Sequence, residues 1–387
     1  MDVKTETKHC LDAVHPQLNA LSHRIHAHPE LGFEEEKACE WLADLLSDGG
    51  FTVQTGFCEL DTAFMATAGN GPLHVAICAE YDALPGIGHA CGHNIIAAMS
   101  AGAGLALARV ADDVGLTVHV VGTPAEEVGD GGGKILLLER GGFAGVHAAM
   151  MVHPTPFDAI DPNLIACSSL DVTYAGKAAH ASMHPELGVN AADALTIAQI
   201  SIGLLRQHIL PTERVHGIVT KGGDAANIVP AHTTARYLVR ATDLEALAAI
   251  QQKVERCFEA GALATGATLG IVGGARPYAE VHHDLDISRV YQSNAEAVGR
   301  TWHTFHRSPS ASTDMGNVSL TIPSIHPAIG IDSLPAVNHQ PEFTAHCVTE
   351  AADRALRDGA LAMAWTCIDL AAADDLRARL MAEPKAV

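Results

Sequence analysis

Cys91 and His93 stand two residues apart, in a turn before a predicted helix of small and apolar residues over 95–109. A thiolate and an imidazole at this spacing can point at one ion, and both suit Zn²⁺ or a similar divalent metal. Two ligands do not make a metal site, because a small buried cysteine beside a hydrogen-bonded histidine gives the same pattern. The interpretation therefore depends on whether further ligands follow at the ends of other strands.

Acids and histidines do follow the ends of predicted strands. The candidates in chain order are Cys91 and His93 after the apolar run 73–78, Glu126 and Glu127 after the run 116–121, and His153 after the run 148–152. Open α/β sheets place ligand sites beyond the carboxyl ends of their strands, so we expect these side chains to meet. Adjacent carboxylates point in different directions. One of Glu126 and Glu127 can therefore bind metal while the other acts as a base, and spacing alone does not separate the two roles.

The composition of the chain narrows its possible partners and compartment. Its 387 residues are 48% apolar, which is enough for two domains with a sizeable core. A formal charge of −21, from 24 basic and 45 acidic residues, argues against nucleic acid or an anionic membrane as a partner. No apolar run approaches the roughly 20 residues of a membrane span, and the N-terminal sequence lacks a signal peptide's apolar segment. Nine scattered cysteines are typical of reduced thiols, so we expect a cytoplasmic protein.

The order of predicted elements indicates an α/β protein with an inserted domain. Strands and helices alternate over 51–152, which predicts a mostly parallel central sheet flanked by helices. Over 168–272 the order becomes β-α-β-β-α-β, that of a ferredoxin-like α+β domain. The α/β pattern then resumes, with a strand predicted over 324–331 and a closing helix over 343–370. The predicted divisions are a first catalytic segment (1–167), the inserted domain (168–283) and a second catalytic segment (284–387).

Seven short motifs resemble those of one metallopeptidase family. They are HPELGFEE at 28–35, DALP at 82–85, HACGH at 89–93, PAEE at 124–127, GKAAHA at 176–181, NIVP at 227–230 and STDMGN at 312–317. The family is the M20 peptidases, which include aminoacylases and glutamate-releasing carboxypeptidases, and the resemblance is closer to its amidohydrolase branch. Asn94 and the loop 313–317 depart from that branch's usual pattern. At both places the sequence is similar to that of the p-aminobenzoyl-glutamate hydrolases and the β-alanyl-lysine-type dipeptidases.

The resemblance implies a pair of divalent metal ions, zinc or manganese, and a cysteine ligand favours zinc. The implied ligands are Cys91, which would bridge the two ions, together with His93, Glu127, His153 and His339. His339 is preferred to His326 because it stands just before the closing helix, where the family keeps its last ligand. Asp82 would orient a ligand histidine. Glu80 stands where other branches carry a metal-binding histidine, and the sequence leaves its role open.

The resemblance also implies catalytic and substrate-binding roles. Glu126 would be the general base that takes a proton from water and passes it to the leaving amine. His180 would reach the active site across a dimer interface and help to stabilise the oxyanion. Asn227 and Arg240 are the candidates for holding the substrate. The inserted domain would then be both the dimerisation surface of a homodimer and a lid.

We therefore expect a metal-dependent hydrolase that cleaves an amide bond of a small-molecule substrate with a metal-activated water. The substrate classes are N-acyl amino acids, aminobenzoyl-glutamate-like conjugates and dipeptides, with a dipeptidase for β-alanyl or basic dipeptides as an alternative. A cysteine amidase using Cys91 and His93 is a rival, although no third orienting group is evident beside the pair. A non-catalytic metal-binding subunit of a hetero-complex is a rival of another class.

Overall fold

The structure is a computed structural model that describes residues 2–303 and 311–382. The chain divides into two compact units. The first contains the residues up to Val128, Gly132–Asn163 and the residues from Val281 onward. The second contains Gly129–Gly131 and Leu164–Glu280.

The described residues form α-helices and β-strands that are numbered here in chain order. The helices are α1 (Val3–Ala27), α2 (Glu36–Asp48), α3 (His93–Ala108), α4 (Ala111–Val114), α5 (Gly133–Glu139), α6 (Ala191–Leu205), α7 (Leu244–Thr265), α8 (Leu285–Ala297), α9 (Met315–Ser319), α10 (Pro341–His346), α11 (Glu350–Ala372) and α12 (Asp374–Ala382). The strands are β1 (Thr52–Thr55), β2 (Phe64–Ala68), β3 (Leu73–Ala79), β4 (Leu116–Gly122), β5 (Ala148–Met150), β6 (His153–Thr155), β7 (Ala166–Ala175), β8 (Arg214–Lys221), β9 (His232–Ala241), β10 (Thr268–Gly273), β11 (Ser324–Ile325) and β12 (Ala328–Gly330). Within the described residues, no helix combines the length and the hydropathy that a membrane crossing requires.

The first unit is built on a mixed six-stranded sheet in the order β1-β2-β4-β3-β5-β11. Strands β4, β3, β5 and β11 are parallel, while β2 and β1 add an antiparallel edge. The sequence of β3 is almost continuously apolar because both faces of this central strand are covered, and only His74 in it is not fully buried. This sheet, with helices flanking it, confirms the predicted α/β fold class.

Helix α3 lies close to the sheet because small residues line it. A Cβ on Gly104 would stand 2.4 Å from Val120 Cγ2 in β4, and a Cβ on Gly102 would stand 2.7 Å from Leu18 Cδ1 in α1. A larger side chain at either glycine would therefore push the helix away from its neighbours. The close packing fixes the position of His93, which is the first residue of α3.

The run 324–331 forms two strands, so the prediction of one strand was wrong. Strand β11 pairs with β5, whereas β12 pairs with β6 in a separate two-stranded sheet. Pro327 lies between them and has no backbone N–H to donate to a ladder. The predicted closing helix is likewise divided, into α10 and α11.

The second unit contains a four-stranded antiparallel sheet in the order β10-β7-β9-β8. Its chain order is β7-α6-β8-β9-α7-β10, which is the predicted ferredoxin-like order. Helices α6 and α7 pack against each other and bury an apolar core with the sheet, which includes Leu170, Val239 and Phe258.

Candidate metal centre

The first unit carries all of the predicted metal ligands, and three of its parallel strands position most of them. Cys91 and His93 follow β3, Glu126 and Glu127 follow β4, and His153 follows β5. Parallel strands end at the same edge of a sheet, so the loops after β3, β4 and β5 share one region. His339 comes from the loop before α10, and its backbone N–H donates to the carbonyl oxygen of Ala90.

The turn Cys91–Gly92–His93 depends on its glycine. Gly92 has φ +83°, a left-handed conformation that side chains disfavour. A Cβ at Gly92 would also stand 2.5 Å from Cγ of Pro154, the residue after His153. The glycine therefore lets the segments that carry Cys91, His93 and His153 approach one another.

Two buried acids hold the turn that carries Glu126 and Glu127. Ala125 has φ +59°, an uncommon conformation for a residue with a side chain, and its N–H donates to Glu35 Oε1 at 2.7 Å. The N–H of Glu127 donates to Asp82 Oδ2 at 2.8 Å. Burial, reinforced by the charge of Asp82, raises the pKa of Glu35 to about 7. Glu35 was not among the predicted site residues, although its place in the 28–35 motif was a signal.

The predicted ligand side chains converge. Cys91 Sγ lies 3.4 Å from His153 Nε2, and His339 Nε2 lies 3.5 Å from Glu127 Oε1. The ligand atoms form two groups in which all atoms lie within 4.8 Å of one another: Cys91 with His93 and His153, and Cys91 with Glu127 and His339. Cys91 belongs to both groups, which is the arrangement that a bridging ligand requires.

The residues present fit divalent metal ions. Glu80 Oε2, His93 Nε2 and Glu127 Oε1 are buried and have no hydrogen-bond partner within the described part of the chain. Buried polar atoms normally have partners, and these three have the chemistry and the position to bind a cation. Donor atoms 2.0–2.3 Å from one tetrahedral zinc ion lie roughly 3.3–3.8 Å apart. The observed separations of 3.4 and 3.5 Å match that spacing.

Asp82 fixes the orientation of His93. His93 Nδ1 lies 3.0 Å from both the carbonyl oxygen and Oδ1 of Asp82, and both of these oxygens can only accept. Nδ1 therefore carries the proton and Nε2 faces the other ligands. Burial lowers the pKa of His93, but the charge and hydrogen bond of Asp82 outweigh burial and hold that pKa well above its ordinary value. That Asp82 orients a metal ligand stays a prediction.

Burial and crowded negative charge favour the protonated forms of the acidic groups. Burial, then Glu80 and Glu127, raise the pKa of Glu126 well above its ordinary value. Burial and the charge of Glu127 likewise raise the pKa of the Cys91 thiol, against the opposing effect of His93. A nucleophilic cysteine needs a lowered thiol pKa. A cysteine ligand must be deprotonated as well, so in either role the Cys91 thiolate requires a cation beside it.

A buried lysine beside the cluster was not predicted. Lys134 Nζ lies 2.5 Å from Glu80 Oε1 and 2.5 Å from Asp314 Oδ1, and the lysine backbone N–H donates to Asp314 Oδ2 at 2.9 Å. All three side chains are fully buried. The second oxygen of Glu80, Oε2, lies 3.4 Å from His93 Nε2. Asp314 belongs to the 312–317 motif, but nothing in the sequence connected that motif to a lysine.

His326 lies behind the cluster. Its ring packs edge-on against the ring of His153, with centroids 5.6 Å apart. His339 belongs to a group with Cys91 and Glu127, whereas none of the candidate metal-binding groups found among residues 2–303 and 311–382 contains His326. This geometry favours His339 over His326 as the last ligand.

The predicted residues of the inserted domain belong to the second unit. Backbone N–H groups of Ser182 and Met183 point at His180 Nδ1, at 3.3 and 3.2 Å, so Nδ1 accepts and Nε2 carries the proton of the neutral ring. His180 and Asn227 lie on neighbouring segments, because the N–H of Ala181 donates to the carbonyl oxygen of Asn227.

Arg240 lies apart from this pair of residues. It is on β9, eight residues beyond His232, a distance of about 26 Å along a strand. His232 pairs with Ala175, near the beginning of the 176–181 motif. The second unit therefore brings Asn227, and not Arg240, next to His180.

Comparison with known proteins identifies relatives for nearly the whole chain. Residues 168–265 match a family model described as a peptidase dimerisation domain. The chain is 37% identical, over 390 aligned residues, to the Xaa-Arg dipeptidase of Homo sapiens, and the match covers 95% of this chain and 88% of that protein. It is 32% identical over 280 residues to one of the subunits of p-aminobenzoyl-glutamate hydrolase from Escherichia coli, covering 67% of this chain and 58% of that protein.

Solved structures share the fold. A dinuclear metal-binding peptidase of the M20 family from Bacillus subtilis superposes with a TM-score of 0.66 at 22% identity, covering 92% of this chain and 99% of its own. An aminobenzoyl-glutamate utilization protein from Klebsiella pneumoniae superposes with a TM-score of 0.73 at 18% identity, covering 92% and 97%.

Proposed function

We propose that this chain, which belongs to the M20 family of metal-dependent peptidases and amidohydrolases, is a dipeptidase. Its proposed substrates are dipeptides with a basic C-terminal residue. The chain is an amide-bond hydrolase. The observation that carries the proposed chemistry is the shared position of Cys91 in two groups of three ligand atoms. That arrangement would hold two ions next to each other, as co-catalytic hydrolysis requires.

Five side chains would hold the ions. Cys91, His93 and His153 would bind one, and Cys91, Glu127 and His339 would bind the other. When bound, such a pair lowers the pKa of a water molecule and polarises the scissile carbonyl group. The thiolate ligand favours zinc over manganese. All nine cysteines lie among the described residues and none of them forms a disulfide, which suits the reducing cytoplasm, our proposed compartment.

Glu126 would be the general base. It lies outside both groups that contain Cys91, yet its Oε2 stands 3.9 Å from His93 Nε2, at the edge of the same cluster. A carboxylate in that position can take a proton from water and deliver it to the leaving amine. A positioned base of this kind contributes about 10²–10⁴-fold to the rate.

The substrate class is inferred from the relatives and from charge. The human and mouse Xaa-Arg dipeptidases are 37% and 38% identical to this chain over nearly its whole length. The formal charge of −21 attracts a cationic dipeptide and repels a glutamate conjugate, which carries two carboxylates. We therefore rank basic dipeptides above aminobenzoyl-glutamate and N-acyl amino acids.

We propose that the second unit is a dimerisation domain and that the enzyme is a homodimer. The match to a peptidase dimerisation domain supports this assignment. Strand β8 is an edge strand of its sheet and exposes Ile218 by 65%, and α6 exposes Leu204 by 70%. Apolar side chains on an unpaired edge favour association. His180, with Nε2–H available as a donor, would stabilise the oxyanion across that interface.

A substrate panel combined with metal analysis tests the proposal. The panel contains Xaa-Arg and Xaa-Lys dipeptides, β-alanyl-lysine, N-acetyl amino acids and aminobenzoyl-glutamate. We expect hydrolysis of the basic dipeptides, loss of activity on chelation, and recovery when zinc or manganese is added. Higher kcat/KM on aminobenzoyl-glutamate would overturn the substrate assignment, and activity that survives complete metal removal would overturn the mechanism.

A further inference from the structure

The trio Lys134–Glu80–Asp314 carries more negative charge than its own lysine can balance. Asp314 alone contacts the lysine twice, through Oδ1 to Nζ and through Oδ2 to the backbone N–H. Glu80 is then a second carboxylate on the same ammonium group, and all three side chains are fully buried. A buried charge that is not compensated is costly, so Glu80 needs a further cation.

The unpaired oxygen of Glu80 points at a predicted metal ligand. Lys134 takes Oε1, whereas Oε2 has no hydrogen-bond partner among residues 2–303 and 311–382 and lies 3.4 Å from His93 Nε2. Asp82 holds Nδ1 of His93, so the ring atom that faces Glu80 is Nε2, which likewise has no hydrogen-bond partner among those described residues. A buried carboxylate oxygen and a buried ring nitrogen that face each other without a hydrogen bond require a positive species between them.

The separation of these two atoms fits a metal ion better than a proton. A charge-assisted N–H···O hydrogen bond is about 2.7–2.9 Å long. A nitrogen and an oxygen bound to one tetrahedral zinc ion are roughly 3.3–3.6 Å apart, and the observed 3.4 Å falls in that range. The distance between Glu80 Oε2 and His93 Nε2 is therefore the one expected for two ligands of the same ion.

We infer that Glu80 is a further metal ligand, bound to the ion that His93 holds, and that Lys134 positions it. This inference rests on the proposed function, because it assumes that the cluster binds metal. Lys134 fixes one oxygen of the carboxylate and leaves the other directed at the ion. Glu80 would then bind in the same region as Glu126, since Glu80, His93 and Glu126 form a third group with ligand atoms within 4.8 Å.

Asp314 provides a matched control for Glu80. Both are fully buried carboxylates on Lys134, but both oxygens of Asp314 contact the lysine and only Glu80 faces His93. Glu80→Gln and Asp314→Asn each replace one acid by its amide and each leave the lysine with one carboxylate. A purely structural role of the trio predicts similar effects from both variants.

The experiment is a competitive zinc titration of metal-free wild-type protein and of both variants, which gives the number of ions bound and their dissociation constants. Circular dichroism and thermal melting of the metal-free proteins verify that each variant is folded. We expect the wild type to bind two ions. In Glu80→Gln, the dissociation constant of one ion should be larger by a factor of about ten or more. Asp314→Asn should bind both ions with nearly wild-type affinity.

The other possible results of the zinc titration contradict either the role of Glu80 or the proposed function. Unchanged affinity in Glu80→Gln, or equal weakening in both variants, would overturn Glu80 as a ligand while leaving the proposed function intact. A wild-type chain that binds no zinc would refute the proposed function itself. Should Glu80→Gln not fold, Glu80→Asp shortens the side chain by one methylene, so it cannot reach Lys134 and the ion together. Glu80→Asp should also lower the affinity for one of the two zinc ions, and an unchanged affinity in this variant would overturn the inference.

Discussion

Glu126 and Glu127 are adjacent, yet their glutamine variants should fail in different ways. Glutamine keeps the shape of the side chain and removes its charge and its basic oxygen. Glu127 Oε1 lies 3.5 Å from His339 Nε2 and shares a candidate group with Cys91, whereas Glu126 lies outside both groups that contain Cys91. Glu126→Gln should therefore retain both ions, while Glu127→Gln should lose at least one.

The size of the Glu126→Gln effect follows from its role. Loss of a positioned base costs about 10²–10⁴-fold in rate, or about 2.7–5.4 kcal/mol at 1.36 kcal/mol per factor of ten. We expect this loss in kcat with little change in KM, because the base acts in the transition state. Burial and Glu80 raise the pKa of Glu126 in the metal-free protein and so favour its neutral form, and a neutral amide should therefore change the metal-free stability little.

Steady-state kinetics on the best dipeptide of the panel, run beside elemental analysis of the same preparations, measures both properties. Glu127→Gln is the matched control, since it makes the same chemical change one residue away. The reasoning is refuted if Glu126→Gln loses metal and Glu127→Gln keeps it, which would exchange the two roles. It is also refuted if Glu126→Gln, fully loaded with metal, keeps more than about a tenth of wild-type kcat.

Three further predictions follow from contacts around the site. Asp82→Asn removes the charge that orients His93, and zinc titration should show about 10- to 100-fold weaker binding. Glu35 has a pKa raised from 4.5 to about 7, so its protonated form stabilises the fold below pH 4.5 and this contribution is lost as the pH rises through 7. Denaturant unfolding of the metal-free wild type should therefore lose up to about 3 kcal/mol more between pH 4.5 and 8 than Glu35→Gln does. His180→Ala mixed with Glu126→Gln should recover activity in heterodimers if His180 acts across subunits, and a mixture without activity would exclude that sharing.

Much of the site could be predicted because parallel strands deliver their ends to one edge of a sheet. Cys91, His93 and His153 each follow an apolar run, and the sheet brings the loops after those runs together. His339 has no such local signal. It stands in a loop before a short helix, and its own backbone has φ +68°. The family resemblance was needed to nominate it, and resemblance alone had to separate Glu126 from Glu127.

The contacts that the sequence did not reveal join residues far apart in the chain. Lys134 and Asp314 are 180 residues apart, and Glu35 reaches the N–H of Ala125 across 90 residues. A single charged residue carries no periodic pattern that marks it as buried, and lysines are mostly exposed. The short strands β11 and β12 were predicted as one strand for a similar reason. They are separate because β11 pairs with β5 and β12 pairs with β6, which are distant in the chain.

The electrostatics of the cluster couple metal binding to the state of the proposed base. Without cations, burial and neighbouring carboxylates raise the pKa values of Glu126, Glu127 and the Cys91 thiol, which favours their protonated forms in the metal-free site. Ligands must lose their protons before they bind metal, so binding releases these protons. A divalent cation favours the charged form of a nearby carboxylate and would therefore oppose the raised pKa of Glu126. Metal binding, which would supply the activated water, would thus also favour the ionised form that Glu126 needs as the proposed base.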